Sequence, residues 1–125
     1  NFQQLPCETA ALIGACAEAF RATRDNTWLR HAQGFFGWFI GRNDLQMPIY
    51  DFKTGGCRDG LLPHGPNENE GAEATCSWLI SLLTLTDIAG QKALDKAPSA
   101  VTSVAEPTDQ TDAEVPAKAT SGSKA

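Results

Sequence analysis

Two short runs hold most of the polar chemistry of this chain: Tyr50-Asp51-Phe52-Lys53-Thr54-Gly55-Gly56-Cys57-Arg58-Asp59-Gly60, and Asn67-Glu68-Asn69-Glu70-Gly71-Ala72-Glu73. Asp51, Asp59, Glu68, Glu70 and Glu73 supply carboxylates, and Glu8 adds one from further upstream. Two carboxylates facing across a cleft can divide general acid and general base work between them. Carboxylates and Asn amides also bind hydroxyl groups without breaking any bond.

Each candidate also has a local structural use. Glu70 and Glu73 stand at the start of a predicted helix, where unpaired amides and the dipole favour a negative charge. Capping is the first expectation for Glu70 and ligand contact the second, whereas Glu73 adjoins a strip of Ser77, Ser81 and Thr84 that turns it towards a cavity. Glu8 falls inside the apolar arc of its helix, so it is expected to point inward, to a ligand or a buried hydrogen bond. Arg58 beside Asp59 could recognise an anionic sugar or a phosphate, but an ion pair that holds the loop is favoured. Asn67 and Asn69 flank Glu68 in a turn-and-cap pattern that would serve hydroxyl binding equally well. Tyr50 and Phe52 read first as loop anchors and second as platforms for a sugar ring.

His31 and His64 are the only histidines and have no cysteine pair at zinc spacing, so no metal site is expected. Cys57 is the one cysteine placed where a nucleophile could act, which would require exposure and a basic partner. Cys7, Cys16 and Cys76 lie in helical or apolar surroundings, and reduced, buried thiols are expected over disulfides.

Three helical segments must position these groups. The first is predicted over 7–23 behind Pro6, with Ala11, Leu12, Ile13, Ala15, Cys16, Ala19 and Phe20 in one apolar arc. The second is predicted from Asn26 to Gly41, with Asp25 or Asn26 as N-cap and Gly41 as stop. Its stripe of Trp28, Ala32, Phe35 and Phe39 is flanked by Leu29, Phe36 and Ile40, with His31, Trp38 and Arg42 at the edge. The third is predicted from about Glu70 to Ile88 with Gly90 beyond its end. It is apolar nearly all round, which predicts burial on most sides, and its small strip of Glu73, Ser77, Ser81 and Thr84 would suit close contact with another helix or the lining of a cavity. The 42–70 segment is too long for an ordinary connection and carries Leu45, Met47, Ile49, Tyr50, Phe52, Leu61 and Leu62, so an ordered binding loop is expected.

The chain has 125 residues, but from Ala97 onward Leu, Ile and aromatics disappear, leaving residues 1–96 to fold and 97–125 as an expected disordered tail. The net charge of −5 and the lack of a basic cluster argue against nucleic acid. No apolar run is long enough to span a bilayer, and a cytoplasmic location is the default expectation. The helices offer more apolar surface than they can hide from one another, which suggests a piece of a larger helical protein.

The motifs Phe39-Ile40-Gly41-Arg42-Asn43-Asp44-Leu45, Tyr50-Asp51, Gly55-Gly56-Cys57, Asp59-Gly60-Leu61 and Asn67-Glu68-Asn69-Glu70-Gly71-Ala72-Glu73-Ala74-Thr75 support a comparison. Over roughly Leu5 to Leu85 the chain resembles the C-terminal helical region of bacterial proteins known as glycosyltransferases. That region is similar to the six-hairpin α/α toroids of carbohydrate-active enzymes. The resemblance implies an all-α fold, a partial α/α toroid of about one and a half hairpins, in which a long loop walls a sugar-binding cleft. Within such a cleft, the density of polar groups around the loop and the next helix start makes Glu8, Asp51, Arg58, Asp59, Asn67, Glu68, Asn69, Glu70 and Glu73 the expected contacts to a carbohydrate or nucleotide-sugar substrate. The site would be completed by an N-terminal part of the same protein, and no cofactor is expected. Two alternatives stay open: a toroidal glycoside hydrolase or sugar epimerase, which needs two carboxylates across the cleft, and a non-catalytic scaffold or glycan-binding appendage.

Overall fold

Pro6 opens the first helix, α1 (Pro6–Thr23), because the amide it lacks would have no partner in the first turn anyway. In the computed structural model, which describes residues 3–97, two further helices follow, α2 (Asn26–Gly37) and α3 (Ala72–Lys96). The predicted polar tail falls outside the described residues from position 98 onward. Arg24 closes α1 in the left-handed conformation (φ 57°), and its N–H returns to the Phe20 carbonyl. Asp25 then caps α2, as expected, accepting the Thr27 N–H at 2.8 Å, and that bond holds its carboxyl below the usual range. So short a connection lays α2 back along α1.

The second helix is shorter than predicted. After Gly37 the chain tightens into a 3-10 turn (Trp38–Ile40) and stops at Gly41, whose φ of 101° suits glycine. The reason is visible at Phe39: its carbonyl accepts the Ile49 N–H at 2.8 Å and the Tyr50 N–H at 3.1 Å, so the returning loop occupies the acceptor that a continuing helix would need.

The third helix differs at both ends. Glu70 lies outside it, and the N-cap is Gly71, which has no side chain to cap with. Gly90 does not end it but sits within it, facing open space. One internal glycine costs about 1 kcal/mol; Arg21 of α1 pairs with Asp87 at 2.7 Å just before it, and Arg24, at the end of α1, pairs with Asp95 at 3.2 Å in the extension.

α1 is the shared partner of α2 and α3. Its buried face is Pro6, Thr9, Ile13, Cys16, Ala17 and Phe20. Ala11, Leu12 and Ala15 are exposed, and so is Glu8, which corrects the expectation of an inward carboxylate. The α3 expectation of burial on most sides is overturned, while its small strip, at Ser77 and Ser81, does make the close helix contact expected of it. Its buried face is the small one, Ala74, Ser77 and Ser81 with Trp78 and Ile88, whereas Leu79, Ile80, Leu82 and Leu83 are exposed. Small side chains let the α3 backbone lie close to α1, and the Ser81 hydroxyl donates to the Ser77 carbonyl at 2.7 Å, so it brings no unpaired group inside.

Trp78 joins the helices to the loop. Its ring lies 5.0 Å from Phe36 and 5.4 Å from fully buried Phe39, and Tyr50 stacks on it at 4.2 Å. Burying a side chain such as Phe39 contributes roughly 1.5–3 kcal/mol. The 42–70 segment is ordered around Ile49, Cys57 and Leu61, all fully buried. Within it, β1 (Leu61–Leu62) pairs antiparallel with β2 (Gly65–Pro66), in the register Leu61 to Pro66 and Leu62 to Gly65. Isolated bridges add Gln4 to Leu61 and Tyr50 to Cys57. The fold is thus mostly helical, with one small hairpin that the all-α expectation did not include.

Candidate functional site

The 42–70 loop walls an open cleft of about 630 Å³. Tyr50, Asp51, Phe52 and Lys53 line it from one segment, Asn67 and Glu68 from another, and Arg58 from between them in sequence. Tyr50 serves as the expected anchor through its stacking on Trp78. Phe52 does not: it is 74% exposed, with its ring held nearly perpendicular to Tyr50 at a centroid distance of 4.9 Å.

Arg58 fastens this wall. Its Nη2 donates to Asp51 Oδ2 at 2.9 Å, its Nη1 donates to the Glu68 carbonyl at 2.6 Å, and its Nε lies 3.4 Å from Glu70 Oε1. The last contact is charge attraction without a directed bond, since Glu70 Oε1 is buried and has no hydrogen-bond partner among the described residues. The favoured reading of Arg58 as a loop-holding ion pair is thus met, but with Asp51 and Glu70 as partners and not with Asp59. Neighbours in extended chain point to opposite sides, which separates Arg58 from Asp59.

The Asp51 carboxyl sits below its ordinary value, chiefly because it accepts the Lys53 N–H at 2.8 Å, with the Thr54 N–H and the charge of Arg58 adding to that. Its role is to tie the 51–58 turn. Glu70 does the same on the other side: its Oε2 accepts the Thr54 hydroxyl at 2.8 Å, so the expected cap of α3 is instead a loop fastener.

The cap comes from Asp59. Its Oδ1 accepts the Gly71 N–H at 2.6 Å and its Oδ2 accepts from the Asn69 amide. Asn67 Oδ1 accepts the Asn69 N–H at 2.9 Å, the turn expected for this pair. Asp59, Asn69 and Glu70 therefore lie outside the cleft lining, and their hydrogen bonds hold the 56–71 segment to the N-terminus of α3.

Glu73 and Glu8 are elsewhere. Glu73 borders a smaller depression of about 340 Å³ between the starts of α1 and α3, beside Cys7 and Asp59. Burial, and then a hydrogen bond with Glu73, raise the Cys7 thiol above its ordinary value. Glu8 lies in neither depression; its Oε2 accepts the Leu5 N–H at 3.3 Å across the first turn of α1. Of the nine expected contact residues the structure gathers four, Asp51, Arg58, Asn67 and Glu68, around one cleft.

Cys57 is no nucleophile. It is fully buried, and burial, reinforced by Asp59 and Glu70, pushes its thiol from 9.0 up to about 12. All four cysteines are free thiols, Cys16 buried like Cys57, Cys7 half-buried and Cys76 exposed, so the expectation of buried thiols fails at Cys76. Among the described residues, no group of three or more His, Cys, Asp or Glu side chains converges where a metal could be held, and no helix is long and apolar enough to cross a membrane.

Lys53, like Pro48 and Pro66, lines the cleft but is absent from the sequence-based set, and of the three it alone carries a charge. The signal for it was its position directly after Phe52, within the 50–60 run that carries the rest of the wall. No protein family, no curated protein and no solved structure matches this chain.

Proposed function

We propose that the 50–68 cleft binds a saccharide, and that the chain is the C-terminal helical part of a glycosyltransferase-like, carbohydrate-active protein of α/α-toroid type. The observation that carries this reading is the cleft itself: an exposed phenyl ring, Phe52, beside a carboxylate, an amide and an ammonium group that have no ion pair among the described residues. Sugars present apolar ring faces edged by hydroxyls, and such a mixture of one aromatic surface with separate donors and acceptors matches them. The exposed row of Leu79, Ile80 and Leu83 on α3 suits a helix stacked against others around a toroid axis.

Binding fits better than cleavage within this chain. Hydrolysis takes two carboxylates across the bond, and Asp51 is engaged by Arg58 and the Lys53 amide. That leaves Glu68 as the one unengaged carboxylate of the cleft among the described residues. Titrating the intact chain with a panel of oligosaccharides, neutral and acidic, while following the backbone amide resonances tests the proposal. Shifts at 51–53 and 67–68 that are weakened in Phe52→Ala, with melting temperature unchanged, are expected; a panel that moves none of these resonances removes the saccharide reading.

A further inference from the structure

We infer that the cleft takes a neutral saccharide and turns away sugars bearing phosphate or carboxylate groups. The inference rests on the saccharide reading above and concerns which class of sugar that site accepts.

An anionic sugar needs a guanidinium fork, a cluster of ammonium groups or a nest of unengaged backbone amides. Arg58 is the only guanidinium of the cleft, and each of its nitrogens already faces an oxygen: Asp51 Oδ2, the Glu68 carbonyl and Glu70 Oε1. To present its fork to a phosphate it would have to leave Glu70 Oε1 buried with no cation beside it.

The Gly55-Gly56 turn offers no phosphate cradle, because its amides are engaged. Lys53 N–H goes to Asp51 Oδ1, Gly55 N–H to the Asp51 carbonyl, Gly56 N–H to the Thr54 hydroxyl and Cys57 N–H to the Thr75 hydroxyl. The α3 N-terminus gives no help either, since the Gly71 N–H is taken by Asp59 and no α3 residue lines the cleft.

The charges agree. Asp51, Glu68 and the adjoining Glu70 outnumber Arg58 and Lys53, so a phosphate or uronate would enter against a net negative wall. What remains available is Glu68 to accept from hydroxyls, Asn67 and Lys53 to donate to them, and Phe52 to cover a ring face. These groups recognise hydroxyls and ask for no charge.

The test compares ligands that share ring size but differ in charge, by amide-resonance titration of the intact chain at low salt. The probes are cellotetraose, maltotetraose and mannotetraose against tetragalacturonate and UDP-glucose. At least one neutral tetrasaccharide is expected to shift residues 51–53 and 67–68, with Phe52→Ala weakening it by about three- to tenfold. Both anionic probes are expected to bind at least roughly tenfold more weakly, a gap that narrows as salt rises. Glu68→Lys should close that gap further while weakening the neutral ligand. If an anionic probe binds the cleft as tightly as the neutral ones, the inference is overturned and the saccharide reading stands. If no probe shifts the cleft, both are overturned.

Discussion

The Asp59 carboxylate accepts the Gly71 N–H at 2.6 Å, so an acid from the loop caps a helix whose own N-cap residue has no side chain. Geometry thereby moves Asp59 from a sugar contact to a structural post. Asp59→Ala is expected to lower stability by about 1–2 kcal/mol, the usual loss for a removed cap. Urea unfolding measures it, and an unchanged midpoint would return Asp59 to the pool of ligand contacts.

Arg58 makes contacts to Asp51, Glu68 and Glu70 that a single ammonium cannot reproduce. Arg58→Lys should therefore be nearly as harmful as Arg58→Ala, each costing about 1–3 kcal/mol through the carboxylates left unpaired. Hydrogen exchange at 51–58 should accelerate in both variants before the helices are affected. Full protection of that turn in Arg58→Ala would show that the loop stands without it.

Gly60 lies where the loop crosses the N-terminal segment. A methyl group added there would meet the Gln4 carbonyl oxygen at 2.9 Å, and a backbone atom cannot swing aside as a side chain does. Gly60→Ala is expected to cost about 1–3 kcal/mol, whereas Gly14→Ala, which faces open space within α1, should be neutral or slightly stabilising. Equal unfolding midpoints for the two variants would contradict the crossing.

Cys57 makes stability depend on alkali. Its thiol is raised from 9.0 in the unfolded chain to about 12 in the fold. Below pH 9 it is protonated in both states and contributes no pH dependence. Above that, the unfolded chain loses the proton first, so stability falls as pH rises from 9 towards 12, by up to about 1.4 kcal/mol per pH unit. Cys57→Ala should reduce this slope in denaturation series taken across the same window, leaving the smaller share of Cys7 and Cys16, whose thiols are also raised by burial. At pH 8, alkylation of the native protein mapped by mass spectrometry should find Cys76 modified well ahead of Cys57.

Punctuation was the legible part of the sequence. Pro6, Asp25 and Gly41 act through their own backbone or side-chain chemistry, and each stands where a helix boundary falls. Faces were harder to read. Alanines in α1 satisfy an apolar arc on either side, so Ala11 and Ala15 pulled the predicted face away from Thr9 and Ala17, although Ile13, Cys16 and Phe20 were placed correctly. In α3 the Ser77 and Ser81 strip was legible as a helix-contact face, but the leucines around it predicted burial on most sides, and Leu79, Ile80, Leu82 and Leu83 are exposed. Gly90 misled because a lone glycine stops a helix only when something favours the left-handed turn, and the residues after it are good helix formers. At the site, the order of the loop and the cleft positions of Asp51, Arg58, Asn67 and Glu68 were legible. The capping by Asp59 was not, because the contact joins residues 12 positions apart through a turn that no periodicity describes.

Gln4 and Leu61 exchange both backbone bonds, at 3.0 and 2.9 Å, stitching the start of the chain to the hairpin and closing one large ring around α1, α2 and the loop. Ring closure of that length is entropically slow, whereas the α1–α2 hairpin needs only neighbours in sequence. Contact order therefore predicts that the helical pair forms early and the cleft last, once the leading segment has docked. Trimming the first few residues would leave a helical protein with a slack, unlatched mouth.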